Sequence, residues 1–408
     1  MKPVEIRNMF PVLSRKVYGK ELVYFDNAAT SQRPQAVLDL WTKISSETNA
    51  NIHRAVHRLA DETTQAYEQA RDAVKEFLNA KMREEIVFTS GTTTAINLVA
   101  FSFGEAFVRE GDEIIVTEAE HHSNIVPWQM LCKRKGAVLK VLPVDETGHL
   151  MVEKLDELFS ERTKLMAFTH ISNVLGIVNP VKEIVQKCHS RCIKVLVDGA
   201  QGSVHCKVDV QDLDCDFYVF SGHKLYAATG TGVLYGKKEL LDAMPPYMGG
   251  GEMVGTVTFA ETTYAPLPMK FEAGTQNFAS TATLKPAIKF VNLLSDNELT
   301  KEIDKVRDYL LDEFKADDRI TLYGVPRGTN EEKIPLFSFT VKGVHHEDLA
   351  LILDKMGIAV RSGQMCAEPL MTRFGVTGML RASLAPYNTM HEAEYFVKCL
   401  NKAIDMLM

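Results

Sequence analysis

The sequence predicts an α/β fold: a large domain built on a mainly parallel sheet, followed by a smaller α+β domain. Three observations predict it. Between about residues 84 and 236, short β-branched runs alternate with helix-like stretches, the spacing of strand–crossover–strand units. Most of those runs are nearly continuously apolar, as expected of strands covered on both faces. Beyond residue 290, long amphipathic stretches alternate with strand-like runs in a different order.

The elements follow in chain order. Strands are expected in EEIVFTS (84–90), DEIIVTE (112–118), KLMAFTH (164–170), IKVLVDGA (193–200), DFYVFSG (216–222) and GVLYG (232–236). Residues 93–107 and 179–192 read as helices between them. Gly230, Gly232 and Gly236 bracket what reads as a hairpin at the sheet edge. After Pro245-Pro246 and Gly249 to Gly251 the pattern loosens into loops to about residue 280. Then come an amphipathic helix over 297–315, strands at 321–324 and 334–343, and a helix at 346–356. Strands at 358–363 and 380–388 and a terminal helix complete the chain.

Composition narrows the function classes. The 408 residues carry 53 acidic and 46 basic side chains, a formal charge of −7, and 46% are hydrophobic. This is an ordinary globular profile, which excludes collagen-like, low-complexity and mostly disordered chains. No apolar run reaches the ~18 residues of a membrane helix. Glu5, Arg7 and Pro11 interrupt the first apolar stretch, so no signal peptide is expected and a cytoplasmic location is. A mildly acidic chain without a long basic run argues against nucleic acid as the main partner. Seven scattered cysteines, 132, 188, 192, 206, 215, 366 and 399, form no disulfide framework and are expected as thiols, six of them buried packing residues.

Ligands of an open parallel sheet bind beyond the carboxyl ends of its strands, so the residues after each strand carry the information. They include Ser90-Gly91-Thr92-Thr93-Thr94, Glu118 to Asn124 with His121, Thr169 to Asn173, Asp198 to Gln201, and Ser221-Gly222-His223-Lys224. Ser90 to Thr93 at a strand-to-helix turn suits an anion, because free N–H groups, a glycine and hydroxyls converge; plain helix capping is the alternative. No lysine of a P-loop is present. Asp198 ends an apolar strand, where a carboxylate needs a cation or donors; a cap for the next turn is the alternative. Lys224 follows a buried strand, where desolvation makes an amine nucleophilic. A phosphate cradle, an acid for a ring nitrogen, a ring-facing histidine and a lysine amine together describe a pyridoxal phosphate site.

At this point the chain resembles a known family: the fold-type I pyridoxal phosphate enzymes of the class V aminotransferase group, in particular the SUF-type (group II) cysteine desulfurases and their selenocysteine lyase relatives. The resemblance runs almost end to end, through the segments at 10–30 (FPVLSRKVYGKELVYFDNAAT), 51–61, 91–100, 118–131, 169–176, 195–201, 216–226, 245–253, 271–277, 357–371 and 381–388. It implies a large cofactor domain over 21–285 and a small domain of 1–20 plus 286–408 that carries a catalytic cysteine loop. It implies pyridoxal 5'-phosphate held by Lys224 as a Schiff base, with Asp198 at the ring nitrogen, Gln201 at the ring hydroxyl and His121 stacked on the ring. Thr93, Ser221 and His223 would bind the phosphate, and Thr275 would reach the phosphate of a neighbouring subunit in a homodimer. Asn173 and Arg381 would hold the substrate carboxylate, with Arg361 and His53 lining the substrate side.

Cys366 is the distinguishing residue. It lies in a short loop between Arg361 and Pro369 after a predicted strand, and positive neighbours favour a thiolate. The resemblance makes it the persulfide carrier of a desulfurase converting L-cysteine to L-alanine, with sulfur passed to an acceptor protein for iron–sulfur cluster assembly. A selenocysteine lyase, or a sulfur-relay component active only with its acceptor, are the alternatives. The chain departs from the family pattern at Ala227-Ala228, where Gly-Pro is usual, at Gln276, where Pro is usual, and at Gln364-Met365, where histidines often precede the cysteine. No metal is expected: His53 with His57, and Cys188, His189 and Cys192, lack a full ligand set and read as helix-face packing. His345-His346 reads as a surface helix start.

Overall fold

The computed structural model describes residues 3–294 and 297–408. Seven strands form the main sheet: β1 (Ile86–Thr89), β2 (Glu113–Thr117), β3 (Val138–Leu142), β4 (Thr163–Thr169), β5 (Lys194–Asp198), β6 (Phe217–Ser221) and β7 (Gly232–Gly236), in the spatial order β1-β7-β6-β5-β4-β2-β3. All neighbours from β3 to β6 run parallel, and β7 is antiparallel to both β6 and β1. The continuous apolar runs have a direct cause. Ile115, Met166, Phe168, Val195, Val197 and Phe220 face one apolar cluster, while their neighbours Ile114, Val116, Leu165, Ala167, Leu196 and Val219 face another. With both faces buried, alternation disappears.

The sequence reading differs from the structure at β7 and β3. The glycine-bracketed strand β7 does form a hairpin with β6, but it is interior and β1 is the edge. Gly232 permits this, because a Cβ there would meet the Gly91 Cα at 2.4 Å. Strand β3 is an unanticipated edge strand: Val138 and Val141 are about half exposed and Lys140 interrupts the run. The loop-rich section also contains a hairpin, Val254–Val257 with Thr262–Tyr264.

Four strands near the carboxyl end, β8 (Ile320–Tyr323), β9 (Leu336–Val341), β10 (Arg361–Gly363) and β11 (Met379–Ser383), form an antiparallel sheet ordered β8-β9-β11-β10. Helices Asn297–Ala316, His346–Lys355 and Met390–Leu407 supply Leu310, Leu353 and Phe396 to its core. The 358–363 run divides: Ile358–Ala359 pairs in parallel with Val23–Tyr24, and β10 pairs with β11. Val23 and Phe25 therefore join this core, whereas Ile6, Phe10 and Leu13 pack in the cluster on the main sheet.

His346 is buried rather than on the surface, and the neighbouring His345 caps its helix. Among the described residues, no helix is long and apolar enough to cross a membrane.

Candidate active site

The carboxyl ends of β1, β2, β4, β5 and β6 open on one cavity of about 180 Å³. Its lining includes Thr93, His121, Asn173, Asp198, Gln201, Ser221, His223, Lys224, Arg361, Cys366 and Arg381. The chain order therefore spreads these residues over nearly 300 positions, and the strand order gathers them. The cavity lies where the order reverses, β3 stepping outward from β2 and β4 returning on its other side.

At the β1 end, Gly91 precedes the helix Thr92–Phe107 with φ +155° and ψ 175°, a conformation open essentially to glycine. A Cβ there would stand 3.3 Å from the Ser221 hydroxyl oxygen. The first-turn N–H groups of this long helix are thus presented to the cavity. Around them, the Thr92 N–H donates to Ser221 Oγ at 2.8 Å, and the Thr93 and Ser123 hydroxyls meet at 2.7 Å. His223 holds Thr30 Oγ1 at 3.2 Å through Nδ1. Burial, then Lys224 and Arg33, hold its imidazole down at about 4, so it is neutral.

Beneath the centre, Asp198 is buried and uses Oδ1 to accept the Ala200 N–H at 2.9 Å. Burial raises its pKa and Lys224 draws it back. The Lys224 amine is lowered to about 8: burial disfavours its charge, Asp198 opposes this, and Arg381 and Arg361 reinforce it. His121 is held down at about 4, chiefly by burial and then by Lys224. Its Nδ1 accepts the Ser123 N–H at 3.1 Å, so its proton sits on Nε2. Gln201 donates from Nε2 to the Ala28 carbonyl at 2.8 Å.

The opposite wall is cationic. Arg381, on β11, donates to the Asn173 carbonyl at 2.8 Å and to Asp26 at 3.1 Å. Its Nε is buried with no partner among the described residues. Arg361 stands 4.0 Å from the same Asp26. Cys366 is exposed, between β10 and the helix Glu368–Arg373.

Two expected residues lie outside the cavity of their own chain. His53 binds Glu68 at 3.1 Å, and Thr275 is exposed on the 272–277 loop. The sequence reading also missed participants. Asp26, Ala28 and Ala29 come from the FDNAAT segment, quoted but given no role, and Asp26 orients Arg381. Glu120 is wholly buried beside Asp198; it accepts from Thr117, Asn124 and the Thr169 N–H, and burial pushes it up to about 8. A carboxylate in an alternating polar segment signals nothing of this.

The histidines and cysteines considered as metal ligands are engaged otherwise. His53 and His57 precede a helix rather than sharing its face, and His57 caps Arg58–Leu78. His189 lies between Asp214 and Asp216. Cys192 is exposed and Cys206 half-buried, so only Cys132, Cys188, Cys215 and Cys399 fit the expectation of buried packing. Among the described residues, no three His, Cys, Asp or Glu side chains gather as a metal would require.

Comparison with known proteins places these features in context. The Aminotransferase class-V family matches residues 23–396. Proteins called cysteine desulfurase are 47% identical in Cronobacter sakazakii, over 96% of each chain, and 47% identical in an Enterobacter strain, over 99% of each. Among solved structures, the cysteine desulfurase CsdA of Escherichia coli superposes with a TM-score of 0.91 at 39% identity, covering both chains in full. The apo cysteine desulfurase of Thermococcus onnurineus superposes with 0.93 at 34%, covering 100% of this chain and 99% of that one.

Proposed function

The chain belongs to the class-V aminotransferase family and is a cysteine desulfurase, and from that premise we propose how its own residues divide the work. The observation that carries the reading is the meeting, in one cavity, of a half-buried amine of lowered basicity, a buried acid and an exposed thiol.

The cavity fits pyridoxal 5'-phosphate. Gly91 leaves open a cradle at a helix start for the phosphate, with Thr93, Ser221 and His223 around it. Asp198 has one oxygen free of donors among the described residues, open to the pyridine nitrogen, and Gln201 stands by for the ring hydroxyl. When bound, the cofactor supplies an electron sink for the substrate α-carbon. His121, neutral with its proton on Nε2, would lie against the ring face. Arg381 and Asn173 receive the substrate carboxylate, the arginine with the Nε that the protein leaves unpaired. Arg361 adds a second positive charge to that wall.

Lys224, its amine pKa lowered to about 8, is poised to take the α-proton and return it. Cys366 as thiolate attacks the substrate sulfur. An S–S bond forms as the substrate C–S bond breaks, and the electron pair returns to carbon, giving alanine and a persulfide on Cys366. An exposed loop suits hand-over to a sulfur-acceptor protein, and iron–sulfur cluster assembly is the destination we assign. The large domain at 21–285, the small domain of 1–20 and 286–408, and a homodimer in which Thr275 and His53 serve a neighbouring site belong to the same reading.

Incubating the holoenzyme with L-cysteine tests it. Alanine with an equal amount of sulfur is expected; pyruvate with ammonia would contradict it. Side-by-side selenide and sulfide release separates the selenocysteine lyase alternative, and full turnover with a small reductant removes the acceptor-only one.

A further inference from the structure

We propose that His122, the second histidine of the His121-His122 pair, is the positioning residue of the Cys366 loop. The inference rests on the reading of Cys366 as sulfur carrier.

The loop adopts a backbone that L-residues avoid. Met365 has φ +54° and Cys366 φ +55°, two consecutive left-handed residues, neither of them glycine. Such a pair persists only where the surroundings over-determine it. Met365 is buried in the apolar cluster on the main sheet, and its carbonyl accepts from Asn173 Nδ2 at 2.9 Å. The Ala367 N–H closes the turn on the Gln364 carbonyl at 3.0 Å, and two further bonds reach the loop from His122. Its backbone N–H donates to the Cys366 carbonyl at 2.7 Å, and its Nε2 accepts the Glu368 N–H at 3.0 Å. His122 therefore grips the chain at Cys366 and again two residues later.

The two histidines are set in opposite tautomers by these bonds. His121 accepts at Nδ1 and carries its proton on Nε2, whereas His122 accepts at Nε2 and carries its proton on Nδ1. The first lines the cavity beside Lys224; the second holds the thiol loop. Adjacent residues of one short turn, His122–Asn124 with His121 as its cap, thereby tie the distance between the cavity floor and Cys366. Near-attack placement of a nucleophile is sensitive to shifts of about 1 Å, so losing the side-chain half of this grip, the bond to the Glu368 N–H, is expected to slow sulfur attack without weakening substrate capture. The sequence pattern hides the role because both partners of His122 are backbone groups.

The test compares His122→Ala, His122→Gln and Cys366→Ala holoenzymes. Glutamine can present its amide oxygen where Nε2 stands; alanine cannot. For His122→Ala we expect an unchanged cofactor absorbance band, a KM for L-cysteine within about twofold, and kcat lower by roughly ten- to a hundredfold. Alkylation of Cys366 by iodoacetamide should become several-fold faster, of order the loss of one local restraint, and His122→Gln should recover most of kcat. A kcat for His122→Ala within twofold of the parent would overturn the proposal. So would a glutamine variant no better than alanine, or a loss of bound cofactor in both. Cys366→Ala separates the two levels: sulfur release surviving in that variant overturns the carrier reading and this inference with it. An inactive Cys366→Ala beside a fully active His122→Ala overturns the positioning role alone.

Discussion

Arg71 and Arg381 are buried to the same degree, 1% and 2% exposed, yet their surroundings treat them oppositely. Arg71 has every donor engaged. Glu272 takes Nη1 and Nη2 at 2.7 and 2.9 Å, the Ile86 carbonyl shares Nη1, and Glu68 takes Nε. Tyr67 and Phe88 lie against its plane, and Glu272 accepts in turn from the Tyr67 hydroxyl and the Phe88 N–H. Burial opposes the Arg71 charge, but Glu272 more than reverses that and the pKa rises. Arg381 is lowered to about 10: burial opposes its charge, Asp26 compensates in part, and Arg361 works against it. A buried cation completed by its own chain stabilises the fold. One left with an open Nε beside a second arginine has a donor to spare, which suits the carboxylate proposed for it.

Breaking the comparison should therefore give a stability defect at one site and a binding defect at the other. Arg71→Met strands Glu272 as a buried charge and should cost about 3–5 kcal/mol, read as a lower denaturant midpoint. Survivors of folding should keep a near-normal KM for cysteine. Arg381→Lys loses the planar fork, and a charged hydrogen bond is worth about 1.5–3 kcal/mol. KM should rise roughly ten- to a hundredfold by that figure, with the denaturant midpoint little moved. Equal stability losses at both sites would erase the distinction.

The residues that make this contrast were unevenly legible in the sequence. Strands with both faces buried announce themselves as apolar runs, and so did the polar clusters at their ends, because a strand's end is where side chains escape the core. Pairing order is not local, so β7 read as an edge and the half-exposed β3 was missed. Arg381 and Asp26 meet across 355 positions, a contact that no spacing reveals. Glu120 and His122 act through buried or backbone partners and leave no pattern.

The histidines sharpen the same contrast at a smaller scale. His121 is held down at about 4 by burial and by the positive charge of Lys224, and stays neutral. His189 is raised above its ordinary value by its hydrogen bond to Asp216, against burial, with Asp214 adding. A raised folded pKa stabilises fully below the unfolded value of about 6.5 and loses that contribution as pH climbs through the folded one. His189→Asn should therefore destabilise more in mild acid than in mild base. The difference should stay under about 1 kcal/mol because the ring is partly solvated and screened, and denaturant midpoints at the two pH values measure it. A gap that widens with rising pH would reverse the assignment.

The central claim is a division of labour, with proton chemistry on the main sheet and sulfur on the Cys366 loop. Peptide mass spectrometry after a single turnover with L-cysteine tests it most directly. The account predicts one added sulfur atom on Cys366 alone in the parent enzyme, and in Cys366→Ala a bound cofactor with neither persulfide nor alanine at the parent rate. Added sulfur on another cysteine, or undiminished alanine from Cys366→Ala, would contradict it.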